Sequence, residues 1–210
     1  RAGLDDYYRG ELGQAIGDEL SRLGSPMTAE DLSSYQALIV EPLQIRVRGA
    51  NIYNLPPPTQ GVASLMILGI FDQLGVTEAE GFDYIHGLVE STKQAFRVRD
   101  RLVTDPDRLP ESPSNYLTPE KLAEMAANID SKIAMPWPDP ASPGDTIWMG
   151  CIDSEGRTVS FIQSIFWEFG SGMVLQDIGL NWQNRGISLS LDPQSLQAFA
   201  PRRKPFHTLN

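Results

Sequence analysis

The sequence predicts an α+β protein in which helices come first and strands follow. Three observations carry that expectation. Apart from one hairpin pattern, apolar residues recur at helical spacing over residues 4–128, Pro136, Pro138, Pro140 and Pro143 then crowd one connector, and beyond Thr146 the apolar residues gather in strand-length runs.

Leu4, Tyr8, Leu12, Ile16 and Leu20 fit one amphipathic helix over residues 4–23, closed by Gly24. Thr28 followed by Asp31 is a capping signature for a second, short helix near residues 32–35. Residues 43–48 and 51–55 alternate apolar and polar around Gly49-Ala50, the pattern of a β-hairpin. Pro56-Pro57-Pro58 stops it, and helices are expected over residues 60–74 and 81–103. After a polar stretch interrupted by Pro106, Pro110 and Pro113, Thr118-Pro119-Glu120 supplies a cap and a first-turn proline for a helix ending near Asn128. The connector over residues 133–145 holds too many prolines for a helix or a central strand and reads as extended and exposed. Strands are expected over residues 146–153 and 158–164, joined by Ser154-Glu155-Gly156-Arg157, and again over 172–175 and 180–183.

Composition narrows the function. A net charge of −10 over 210 residues opposes a nucleic-acid partner, which needs a basic footprint, and Arg202-Arg203-Lys204 is too small a cluster to reverse that. No apolar run approaches the roughly 20 residues of a membrane span, so no membrane partner is expected. The two histidines, His86 and His207, and the single cysteine, Cys151, argue against a metal site, and no cofactor is expected. Cys151 lies among Met149, Ile152 and Val159 and reads as a buried strand thiol. The chain opens inside a helical pattern at Arg1 and stops at Asn210 without a closing element. A piece of a larger protein is therefore the expectation, cytoplasmic, with the periplasm left open because targeting signals would lie upstream.

Thr146 stands at the first residue of a strand, directly after the proline-rich connector. Attack of its hydroxyl on the Asp145 carbonyl would convert the peptide bond to an ester, whose hydrolysis leaves Thr146 as a new N-terminus. The freed α-amine, with a pKa of about 7.7–8.0, can take the proton of the same residue's hydroxyl. That solution needs no catalytic histidine. On its own the argument is permissive, since a strand-initial threonine is also what strand propensity supplies.

Several motifs occur in a telling order: Tyr8-Arg9-Gly10-Glu11, Met27-Thr28-Ala29-Glu30-Asp31-Leu32, Asn54-Leu55-Pro56-Pro57-Pro58-Thr59-Gln60-Gly61, Gly144-Asp145-Thr146-Ile147-Trp148, Asp153-Ser154-Glu155-Gly156, Val159-Ser160-Phe161-Ile162-Gln163-Ser164 and Phe169-Gly170-Ser171-Gly172. Together they resemble the gamma-glutamyltransferase family of N-terminal-nucleophile hydrolases. The resemblance implies a four-layer αββα sandwich, present in part. It also implies a precursor cleaved between Asp145 and Thr146, with residues 1–145 belonging to the large-subunit region and 146–210 to the small-subunit region. Thr146 becomes processing residue and nucleophile, and Ser164 the hydroxyl that hydrogen-bonds it, although a satisfied strand serine would look the same in sequence.

The departures from the family pattern are informative. Phe166 stands where the transferases carry an asparagine two residues after that hydroxyl. In Gln183-Asn184-Arg185-Gly186-Ile187-Ser188, Arg185 replaces an amide and Ser188 an acid that hold the substrate's ammonium. His207-Thr208 stands in place of a serine pair that binds the carboxylate. A pocket that gains a guanidinium suits a small anion without an amino group. With Trp182-Gln183-Asn184-Arg185-Gly186 and Glu168-Phe169-Gly170-Ser171-Gly172, the chain resembles the oxamate amidohydrolase branch. That implies a small carboxylated amide as substrate, hydrolysis of oxamate to oxalate and ammonia, and a role in purine-nitrogen salvage. Arg185 as a structural arginine, and Phe166 and Trp167 as core aromatics, remain open readings.

The large and small regions of one precursor are the implied partners, and the resemblance leaves room for a homo-oligomer. The family's oxyanion-hole glycines would lie beyond Asn210 and its large-subunit arginine before Arg1, so these 210 residues alone are expected to be inactive. Gamma-glutamyl transfer or hydrolysis, and a non-catalytic member retained for binding or assembly, are the competing functions.

Overall fold

Helices fill the first part of the chain and strands the last, as the periodicity implies. The computed structural model describes residues 3–137 and 146–209, so Pro138, Pro140, Pro143, Gly144 and Asp145, with the expected cleavage position, lie outside the described residues. The described residues form two compact units, and each draws on chain from both sides of Thr146: Arg1–Ile39 with Pro143–Asn184, and Val40–Ser142 with Arg185–Asn210.

In the first unit the expected single helix is two, α1 (Asp6–Arg9) and α2 (Glu11–Arg22). Gly10 breaks it with extended backbone and serves as the N-cap of α2. Helix α3 (Ala29–Ser34) opens on a full capping box, with Thr28 accepting from the Asp31 N–H and the Asp31 carboxylate accepting from the Thr28 N–H. Two strands, β3 (Ile147–Ile152) and β4 (Thr158–Gln163), form an antiparallel hairpin. The short pair β5 (Val174–Leu175) and β6 (Leu180–Asn181) follows. Ile16, Leu20 and Leu32 from before Thr146 pack with Leu175 and Trp182 from after it in one apolar cluster. Beside this cluster the buried Glu19 carboxylate accepts from the Gln176 and Asp177 N–H groups.

The β3–β4 hairpin is apolar and uncovered. Trp148 is 63% exposed and Ile152 70%, with Ile147, Met149, Val159 and Phe161 also open. The burial expected of Cys151 is therefore corrected: its side chain is exposed. A two-stranded sheet has no interior of its own, so an apolar strand run is buried only if another layer covers it, and no described residue does.

In the second unit β1 (Leu43–Val47) and β2 (Ala50–Asn54) pair through a two-residue turn at Arg48-Gly49, one residue earlier than the pattern implied. Both turn residues have positive φ, 47° and 82°, as a twisted two-residue hairpin requires. Helix α4 (Gly61–Gln73) is apolar on nearly every face because it packs against α5 (Phe82–Leu102), α6 (Pro119–Ala127) and the hairpin. Val62, Leu65, Met66 and Ile70 of α4 meet Ala95, Val98, Leu102, Leu122 and Met125 in the core. Residues from after Thr146 join this unit too. The Thr104 hydroxyl donates to the Leu196 carbonyl at 3.1 Å, and the Lys204 N–H donates to the Asp105 carboxylate at 2.8 Å. No helix among the described residues is long and apolar enough to cross a membrane.

Candidate active site

The Asp153–Arg157 turn fixes the register of β3 and β4. Asp153 Oδ1 accepts from the Glu155 and Arg157 N–H groups, both at 2.9 Å, and its Oδ2 accepts from Arg157 Nε at 2.6 Å. The Arg157 side chain, then the backbone donors, hold the Asp153 carboxyl below the usual carboxylate range. From that turn the strands pair without slippage from Ile152↔Thr158 to Ile147↔Gln163. One step further the register sets Thr146 opposite Ser164, and cross-strand partners point to the same face. The Thr146 hydroxyl donates to Ser164 Oγ at 2.9 Å.

Ser164 Oγ also accepts from the Phe166 N–H at 3.0 Å, so its oxygen receives two donors. A serine hydroxyl is too weak a base to hold a transferred proton, so this contact can orient the Thr146 hydroxyl but not deprotonate it. Phe166 lies beyond β4 with φ of 82°, a left-handed backbone that is costly for a bulky residue and concentrates at functional turns. The reading of Phe166 as a core strand aromatic is thereby corrected. Asn184, for which the motifs imply no role of its own, pins this turn. Its side-chain oxygen accepts from the Trp167 N–H at 3.1 Å, and its own N–H donates to the Ile165 carbonyl at 3.2 Å. The glycine of the Phe-Gly-Ser-Gly loop has a steric reason: a Cβ on Gly170, at φ 56°, would lie 2.4 Å from the Trp182 carbonyl oxygen.

Against Ser164 the first unit opens a recess of about 410 Å³, lined by Tyr7, Tyr8, Tyr35, Ile165 and Trp182 among others. A larger recess of about 870 Å³ in the second unit, around Leu74, Phe82 and His86, contains none of the expected site residues. The chemistry, not the size, singles out the smaller one.

The second unit brings together the residues expected to recognise an anion. Arg185 begins a single 3₁₀ turn (Arg185–Ser188) and is 8% exposed. Its Nη1 donates to Thr208 Oγ1 at 3.4 Å, and burial pulls its pKa down from the ordinary arginine value. His207 is pulled down to about 4, first by burial and then by the Arg185 charge, so its ring is neutral near pH 7. The His207 Nδ1 accepts from the Leu209 N–H at 3.3 Å, which leaves the ring proton on Nε2. Among the described residues no group of His, Cys, Asp and Glu is arranged to hold a metal ion.

Comparison with known proteins agrees with these motifs. The gamma-glutamyltranspeptidase family model matches residues 1–210. The oxamate amidohydrolase proenzyme of Klebsiella pneumoniae subsp. pneumoniae is 49% identical over 208 residues, covering 99% of this chain and 39% of that protein. The glutathione hydrolase-like YwrD proenzyme of Bacillus subtilis is 35% identical over 209 residues, 99% of this chain and 40% of that one. Among solved structures, cephalosporin acylase from Bacillus halodurans superposes with a TM-score of 0.84 at 34% identity, covering 98% of this chain and 38% of that one. The chain thus spans about two fifths of the length of the relatives it matches. It belongs to the gamma-glutamyltranspeptidase family.

Proposed function

We propose that the protein to which this chain belongs is a self-processing amidohydrolase with Thr146 as its N-terminal nucleophile, acting on a small carboxylated amide such as oxamate. The observation that carries this reading is the Thr146–Ser164 hydrogen bond at the mouth of the β3–β4 hairpin. In the precursor the Thr146 oxygen attacks the Asp145 carbonyl and the peptide nitrogen leaves as the α-amine of Thr146. Water then hydrolyses the ester. In turnover the α-amine takes the Thr146 hydroxyl proton as the oxygen attacks the amide carbon of oxamate, and passes a proton to the departing ammonia. Hydrolysis of the oxalyl ester releases oxalate and restores the threonine.

Arg185, with Thr208 and the neutral His207, is assigned the substrate carboxylate. Burial disfavours the guanidinium charge, and a bound carboxylate offsets that penalty with bidentate geometry. An ammonium-bearing gamma-glutamyl substrate would meet that cation instead, which disfavours glutamyl transfer. The relative from Klebsiella pneumoniae, named for oxamate, supports the same substrate. A strand pair with apolar side chains on both faces suits the middle layers of a four-layer αββα sandwich, which we propose for the whole protein. The proenzyme names of the relatives support a large and a small subunit cut from one precursor.

Intact-mass analysis of the full-length protein tests the reading. Splitting before Thr146, abolished by Thr146→Ala, together with ammonia release from oxamate, is the expected result. A precursor that never splits, or that splits equally well as Thr146→Ala, sinks it and favours a non-catalytic role. The tyrosine-lined recess of about 410 Å³ exceeds what oxamate fills, so a second reading is hydrolysis of a larger amide. A cephalosporin acylase among the similar structures favours that option. Comparing kcat/KM for oxamate, a cephalosporin amide and gamma-glutamyl-p-nitroanilide separates the three.

A further inference from the structure

The segment that carries His207 and Thr208 has almost no regular structure of its own, and the Pro56-Pro57-Pro58-Thr59-Gln60 loop holds it in place. The His207 N–H donates to the Pro58 carbonyl at 2.8 Å, and Thr59 and His207 form an isolated parallel bridge. Beyond them Gln60 makes two further links: its N–H donates to the Leu209 carbonyl at 3.4 Å, and its side-chain Nε2 donates to the Thr208 carbonyl. The orientation of that amide is dictated from the other side. Arg99 Nη1, which can only donate, bonds Gln60 Oε1 at 3.1 Å, so the Gln60 NH₂ must face Thr208. Arg99 is itself fixed, with its guanidinium 3.6 Å over the Phe96 ring, 5.7 Å from the Phe206 ring and bonded to Asp100 at 2.7 Å.

We propose that Gln60 is a positioning residue for substrate binding. Its amide, aimed by Arg99, sets the main chain at Thr208 and so places the Thr208 hydroxyl beside Arg185. The chain of contacts runs Phe96, Arg99, Gln60, Thr208, Arg185, and only its last members meet the substrate. The proposal rests on the carboxylate-binding role given above to Arg185 and Thr208. It gives the proline-rich signature a function of its own, as the template for the anion-binding segment.

The test uses the full-length protein with Gln60→Glu, which keeps the size and the Arg99 partner but turns an oxygen toward the Thr208 carbonyl, and with Gln60→Ala. Both variants are expected to raise the KM for oxamate about tenfold, the factor that ~1.4 kcal/mol of lost binding represents. The Ki of oxalate should rise in parallel, while kcat stays within about twofold and cleavage before Thr146 keeps its rate. On an Arg185→Ala background Gln60→Glu should add little, because the two act on one anion. An unchanged KM, or a fall in kcat that tracks a lowered melting temperature, overturns the proposal. A wild-type protein that hydrolyses no carboxylated amide sinks the functional reading instead. In that event hydrogen exchange decides this inference: faster exchange at His207 and Leu209 in Gln60→Glu supports it, and unchanged exchange overturns it.

Discussion

Replacing Ser164 with alanine removes one oxygen that accepts two hydrogen bonds, from the Thr146 hydroxyl at 2.9 Å and the Phe166 N–H at 3.0 Å. Under the proposed function the first orients the Thr146 oxygen for attack, and the second holds the turn in which Phe166 has positive φ. A hydrogen bond of this kind contributes about 0.5–1.5 kcal/mol net. If the Thr146 bond is as strong in the transition state as in the ground state, nothing is lost from the rate. If it aims the oxygen only while attack develops, its full value appears as a rate factor of roughly 2 to 13. A slowing of about tenfold is expected, since the loosened turn adds to the lost orientation. The assay is intact-mass measurement of the fraction split before Thr146 over time, for wild type, Ser164→Ala, Ser164→Thr and Ser160→Ala. Ser160, on β4, accepts from the Trp148 indole at 2.9 Å and serves as the matched deletion. Ser164→Thr, which keeps the hydroxyl, should split at close to the wild-type rate. The reasoning fails if Ser164→Ala splits as fast as wild type, or if Ser160→Ala slows it equally.

Further expectations follow from the same geometry. His207, pulled down to about 4 in the folded chain from 6.5, binds its proton less readily folded than unfolded. Its contribution to stability is therefore whole above pH 6.5, is lost as pH falls toward about 4, and is flat below. The melting-temperature advantage of wild type over His207→Gln should accordingly shrink between pH 7 and pH 5, and an unchanged difference would contradict the assignment. Glu90, 2% exposed, accepts from Lys93 Nζ at 2.6 Å and from the Met135 N–H at 3.1 Å, while Lys93 also donates to the Met135 carbonyl at 2.7 Å. Glu90→Gln should lower urea-measured stability by roughly 1–3 kcal/mol, because a half-buried ammonium loses its anion, and should speed hydrogen exchange at Met135. Gly17→Ala would set a Cβ 2.4 Å from the Ala29 nitrogen, where α2 meets α3, and should cost about 1–3 kcal/mol in thermal denaturation.

The parts of this fold that local chemistry governs were legible in sequence. Thr28 with Asp31, and Thr118 with Pro119, cap the helices where their residue types place them, because a side-chain oxygen three residues from an unpaired N–H has one good partner. The opposition of Thr146 and Ser164 was likewise within reach. The Asp153 turn sets the register, and the pleat then decides which side chains share a face. What depends on distant chain was not legible. The break at Gly10, the role of Asn184 at the Trp167 turn and the burial of Arg185 follow from tertiary neighbours, which periodicity does not report. Cys151 was misplaced for a related reason: an apolar strand signals that burial is available, not that the described residues supply it.

The way the two units share the chain bears on what a cut before Thr146 does. Ile16, Leu20 and Leu32 lie upstream of it and Leu175 and Trp182 downstream, yet they form one core. In the other unit Thr104 and Asp105 lie upstream, and Leu196 and Lys204, to which they bond, downstream. Scission of a single peptide bond there yields two polypeptides that are threaded through both units, as two pieces of cord remain tied after one strand between two knots is severed. Neither product can leave without breaking the apolar cluster of the first unit and the hydrogen bonds that join the two stretches of chain in the second. A cut at the proposed position would therefore change covalent connectivity within each unit while leaving these shared contacts in place.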